Sequence, residues 1–195
     1  MRIPVIVGVI GGVGAGKEAF SKSVQRHLAE KFKLVTFIVN ENAKSDHSVL
    51  SEERLHDQAM ESMKADVIMV NGSSFLRNEK LRSQLDLKIY LHSDSDKRLA
   101  NYVKRNKGKR TLEDAMERYF TEVKPKDLAT LESEKHADFL AQTDMSQGEP
   151  HGLIRQGKLC GHWSAVKDKM NLLGLMISDL CGTKETGSST GALDL

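Results

Sequence analysis

Val5-Ile6-Val7-Gly8-Val9-Ile10-Gly11-Gly12-Val13-Gly14-Ala15-Gly16-Lys17-Glu18 is the stretch on which the fold turns. Its first six residues form a continuous apolar run rich in β-branched side chains, the composition of a strand buried on both faces of a parallel sheet. Glycines end the strand, and from Lys17 the apolar positions Phe20, Val24, Leu28 and Phe32 recur every four residues, so a helix packs back on it. Between strand and helix, Gly11 to Lys17 meets the pattern G-x-x-x-x-G-K. Such a loop curls successive backbone N–H groups around an anion, the helix N-terminus adds partial positive charge, and Lys17 reaches the outer phosphates. The pattern fails at its last position, where Glu18 stands in place of Ser or Thr. A glycine-rich turn that binds nothing is the plain alternative.

Outward from this unit the alternation continues. Leu34 to Val39 reads as a second strand, and Leu50, Leu55, Ala59 and Met63 form a helical stripe. Val67 to Val70, Leu87 to Leu91 and a weak Ala137 to Ala141 read as further strands. Asp94 to Lys107, capped by Asp94 or Ser95, and Thr111 to about Lys124 are two helices around a basic turn at Gly108, and Ala165 to Leu180 is a closing helix. Strands alternating with helices and joined by right-handed crossovers make an α/β fold, a doubly wound, mostly parallel five-stranded sheet covered on both faces.

The 195 residues are expected to form one domain over 1–181 with a flexible C-terminal tail over 182–195, and Thr143 to Gly161 reads as a surface excursion. Charged residues at 29% beside 39% hydrophobic ones suit a water-soluble protein, and no apolar run approaches the roughly 20 residues that span a bilayer. A short N-terminal apolar stretch without a cleavage site, and two cysteines, Cys160 and Cys181, point to the reducing cytoplasm. His151, Cys160, His162 and Cys181 match no common zinc spacing. The net charge of +2 gives little support to a nucleic-acid partner, although Lys104 to Arg110 is a basic cluster, read either as a phosphate contact or as a solvated helix end.

An ordered string of motifs then resembles the uridine/cytidine kinase family over most of the chain. Val7 to Leu28 resembles the family's strand, P-loop and first helix, and Ala65-Asp66-Val67-Ile68-Met69-Val70-Asn71-Gly72 its A-D-V-V-x-x-E-G stretch. Leu87 to Leu99 resembles D-L-K-I-F-V-D-T-D-A-D-x-R-L, and Arg110-Thr111-Leu112-Glu113 resembles G-R-D-L-E. Tyr119, Val123-Lys124-Pro125 and Lys135-His136-Ala137-Asp138 resemble the Y-x-x-x-V-K-P and K-Y-A-D pieces that follow.

The resemblance implies a P-loop NTPase fold, ATP as donor, Mg²⁺, and a nucleoside 5′-hydroxyl as acceptor. It makes Gly11, Gly12, Val13, Gly14, Ala15, Gly16, Lys17, Glu18 and Arg98 the nucleotide contacts, and residues 98–111 a lid in which Arg105 and Arg110 act with Lys17 on the transferring phosphoryl group. Asp46-His47 resembles the family's D-H-P beside the nucleoside.

The departures share a direction. The catalytic Asp after the second strand is replaced by Asn40, which cannot take a proton, a loss that typically costs 10²–10⁴-fold. Glu41 substitutes if the register slips by one. Asn71 removes another carboxylate, and the segment before the third strand is too short for the family's base-gripping hairpin. Glu18 ligates the metal, repels the phosphates, or turns to solvent as a first-turn carboxylate. The repulsion would be worth about 4 kcal/mol at roughly 4 Å and an effective dielectric near 20. The expectation is therefore a nucleotide-binding pseudo-kinase with a regulatory or partner role, the alternative being an active uridine/cytidine kinase, in either case with oligomer formation open.

Overall fold

A computed structural model describes residues 3–40, 65–73, 76, 78–142 and 169–187 of the chain. The first strand, β1 (Val5–Ile10), lies at the centre of a five-stranded sheet with β2 (Thr36–Asn40), β3 (Val67–Gly72), β4 (Leu87–His92) and β5 (Phe139–Gln142), in the order β2-β3-β1-β4-β5. Every pairing is parallel, so the expected sheet, read as mostly parallel, is wholly so. Because β1 is flanked by β3 on one side and β4 on the other, the chain winds both ways from it, and the carboxyl ends of β1, β3 and β4 open into the crevice where such sheets bind ligands.

The apolar run of β1 divides between two cores by alternation. Val5, Val7 and Val9 meet Val67, Met69, Phe20, Val24, Leu28, Leu173 and Ile177 on one face. Ile10 meets Val39, Ile68, Val70, Leu76, Leu81 and Tyr90 on the other. Helix α1 (Lys17–His27) carries the predicted stripe on the first face, but the stripe's last turn, Leu28–Phe32, widens to π-helical form and closes on Lys33 at φ 57°. This widened turn brings Phe32 under the last described helix, where a Cβ on Gly174 would overlap its ring.

Three aspartates that each directly precede a strand fasten the sheet at its entry. Asp66 accepts from the Val35 amide at 2.8 Å, Asp86 from that of Ile6 at 2.7 Å and Asp138 from that of Lys88 at 2.9 Å. Asp138 also pairs with the Lys88 ammonium at 2.8 Å. The Ala-Asp pieces that carry part of the family resemblance therefore hold strand ends, an acceptor for an amide that would otherwise go unpaired.

Between β3 and β5 lie α2 (Glu79–Ser83), α3 (Ser95–Asn106), α4 (Leu112–Arg118) and α5 (Lys124–Leu131). Asp94 takes the N-cap position of α3 without a side-chain cap bond, whereas Thr111 does cap α4, accepting from the Asp114 amide at 3.2 Å. The helix expected over Thr111 to about Lys124 is interrupted after Arg118 by a π-helical turn over Tyr119–Val123. The last helix, α6 (Lys169–Gly187), runs past the point at Gly182 where the tail is expected to begin. No helix among the described residues is long and apolar enough to cross a membrane. The Leu50 to Met63 stripe, the Thr143 to Gly161 segment, the residues before Lys169 in the closing helix, and His151, Cys160 and His162 lie outside the described residues.

Candidate functional site

The glycine loop sits where β1 ends and α1 begins, and its shape depends on glycine at two places. Gly16, at φ 84°, is the N-cap of α1, and Gly14 has φ 81°. A Cβ on Gly14 would also overlap the backbone carbonyl of Arg98, because α3 lies directly over the loop. Asn101 fastens this approach, its Nδ2 donating to the Gly14 carbonyl at 2.9 Å. Gly14→Ala is expected to lower the unfolding free energy by at least about 2 kcal/mol, since left-handed strain and a backbone clash add; urea denaturation of the two proteins measures it.

Lys17 folds over the loop, with its ammonium 2.7 Å from the Gly11 carbonyl and 2.9 Å from that of Gly12. The loop amide of Val13 donates at 2.9 Å to Oδ1 of Asp127, a residue of α5. The other carboxylate oxygen takes Arg98 Nη1 at 2.6 Å. Both side chains are sheltered, Arg98 exposing 12% and Asp127 3% of its surface. Burial pushes the Asp127 carboxyl up, opposed by the Val13 amide and the charges of Arg98 and Lys17. The carboxylate presents an anionic oxygen to the loop, and a Cβ on Gly12 would lie 3.0 Å from it. The loop thus fits an anion, judged by the one it already holds.

The metal positions read differently. Glu18 points away to Lys22, at 2.7 Å and half exposed, an i,i+4 pair on the helix surface. The hydrogen bond and charge of Lys22 hold its carboxyl below the usual value, with burial opposing and Arg105 adding. Of the readings open for Glu18, this is the first-turn carboxylate facing solvent. At the ends of β2 and β3, Asn40 and Asn71 are register partners. Ser21 Oγ donates to Asn71 Oδ1 at 2.6 Å, and Asn71 Nδ2 donates to Asn40 Oδ1 at 2.9 Å. These three neutral groups form a chain of two hydrogen bonds. Among the described residues no group of three His, Cys, Asp or Glu side chains could hold a metal ion. At the ends of β2 and β3 the described side chains thus present amides and a hydroxyl rather than the carboxylates and water that Mg²⁺ prefers.

The lid arginines separate. Arg98 and Asn101 lie against the loop, and Arg105 is near enough to Glu18 to act on its charge. Arg110, which precedes α4, is held at 3.1 Å by Asp114 of that helix. The other side of α3 contributes Leu99, Ala100 and Val103, with Met116 of α4, to an open depression of about 520 Å³ that is separate from the loop. Glu41, Asp46 and His47 lie outside the described residues. Two site residues escaped the sequence reading. Asn101 carries no local signal, and Asp127, just after Lys124-Pro125, reads there as an ordinary first-turn carboxylate.

No protein-family model matches the chain. It is 26% identical over 184 residues to the uridine kinase of Clostridium botulinum (strain Okra / Type B1), covering 72% of this chain and 88% of that one. The chain is a divergent relative of the uridine kinases. The uridine kinase of Geobacillus sp. (strain WCH70) is likewise 26% identical, over 163 residues, 63% of this chain and 77% of its own length. Among solved structures, TT1252 from Thermus thermophilus overlays with a TM-score of 0.46 at 14% identity, over 74% of this chain and 91% of that one. The fold is that of a P-loop α/β protein.

Proposed function

We propose that the chain is a uridine-kinase-like protein that binds a nucleotide phosphate without a divalent metal, its catalytic site degenerate and its role that of a partner or regulator. One observation carries this reading: the Ser21, Asn71 and Asn40 side chains are bonded to one another where a phosphotransferase needs carboxylates for metal and base. Chemistry requires metal, base and acceptor pocket together, whereas binding requires the loop alone. Calorimetric titration with ATP is expected to give the same affinity in Mg²⁺ as in EDTA, within about twofold, an equality expected if no carboxylate awaits the metal. Binding that needs Mg²⁺ would refute this reading.

A second reading is an active ATP-dependent kinase for the 5′-hydroxyl of uridine, cytidine or a related small molecule. It is favoured by Lys17 at the loop with Arg98 lying against it and Arg105 near enough to act on the charge of Glu18. Release of ADP that depends on added uridine or cytidine would establish it. Both readings place the protein in the cytoplasm, with homo-oligomers or a protein partner as further expectations.

A further inference from the structure

Two of the donors at the loop are already engaged by one internal anion. Val13 N–H and the Arg98 guanidinium meet the two oxygens of Asp127 at 2.9 and 2.6 Å. The guanidinium is not fully used, because Arg98 Nε is buried with no hydrogen-bond partner among the described residues. A planar fork engaged at one nitrogen, with a second donor buried beside it, is better matched by a group that offers more oxygens than a carboxylate does. Lys17 lies close enough to act on the same carboxylate. Helix α5, which carries Asp127, is tied to the end of β3 through Thr130 Oγ1 and the Ser73 carbonyl at 3.2 Å, so the carboxylate is delivered by a braced element.

We propose that Asp127 is an internal ligand of the phosphate loop, which holds Val13 and Arg98 until a polyphosphate oxygen displaces it from both. The proposal rests on the reading that the loop takes a nucleotide phosphate, and it adds the residue that sets how tightly it does so. A phosphate entering beside a retained carboxylate would meet like charge in a dry site. One that displaces it inherits an amide and a guanidinium already placed.

The test uses the full chain titrated with ATP in EDTA, beside Asp127→Asn and Lys17→Ala. Asp127→Asn is expected to bind ATP about tenfold more tightly than the wild type, the scale of one charge-assisted contact, while Lys17→Ala loses most binding. Charge removal alone would also tighten binding, so the Asp127 side-chain carboxyl is followed by ¹³C NMR in the wild type. A change in its shift at saturating ATP is expected, and this readout stands even if Asp127→Asn does not fold. An unmoved carboxyl in the saturated wild type overturns the proposal, as does equal affinity of wild type and folded Asp127→Asn; in both cases, loss of binding in Lys17→Ala leaves the loop reading standing. Tightening that survives Lys17→Ala places ATP elsewhere and overturns it too. Failure of wild type and folded Asp127→Asn alike to bind ATP removes the loop reading itself, and this inference with it.

Discussion

Arg98→Ala should lower the unfolding free energy by about 3–5 kcal/mol, the usual result of removing one partner from a buried ion pair. Asp127 would remain 3% exposed in its present surroundings, with its charge met only by the Val13 amide and by Lys17. The loss comes from the stranded carboxylate more than from the value of the pair, and its pH dependence separates the two. Burial already raises the Asp127 carboxyl from its ordinary 3.8, and Arg98 opposes that rise. Without Arg98 it rises further, since the neighbouring Tyr90 and Tyr119 phenols, themselves pushed up by burial, offer no compensating positive charge. A carboxyl with a raised folded value contributes stability below its unfolded value, and that contribution fades as pH climbs through the folded value. The deficit of Arg98→Ala is therefore greatest at neutral pH and shrinks as pH falls toward 3.8. Urea denaturation across that range measures it, and a deficit independent of pH would mean that Asp127 is not the stranded group.

Glu18→Thr combined with Asn40→Asp should raise transfer of phosphoryl groups from ATP to uridine by about 10²–10⁴-fold over the parent protein, the range over which a positioned general base acts. The first change places a hydroxyl on the opening turn of α1, where Glu18 now turns outward to Lys22. The second places a carboxylate at the end of β2, in reach of Asn71 Nδ2, which already donates there at 2.9 Å. The product is read by chromatography of the nucleotide pool. An unchanged rate in a folded double variant that binds ATP would show that Asn40 does not occupy the base position, and that more than these two residues separates this chain from a working enzyme.

The parts of this protein that were legible in its residues are those encoded by near neighbours. The apolar run of β1 is a strand by composition, and Gly11 to Lys17 could be read as an anion loop because each part lies within a few positions of the next. The strands followed from the same periodicities, whereas the short helices Glu79–Ser83 and Lys124–Leu131 did not. Even Glu18 was partly legible, since its partner Lys22 is one helical turn away. Other features required distant segments to meet. Asn40 and Asn71 each read as a single substitution, and they form one neutral network with Ser21 only because β2 and β3 pair in register beside α1. Asp127 was not singled out by any motif. It becomes part of the loop through bonds to Arg98, 29 residues away in sequence, and to Val13, 114 away. Local propensity and pattern write the elements along the chain, but the winding of the sheet brings a carboxylate to the mouth of the loop, and no spacing in the sequence encodes that meeting.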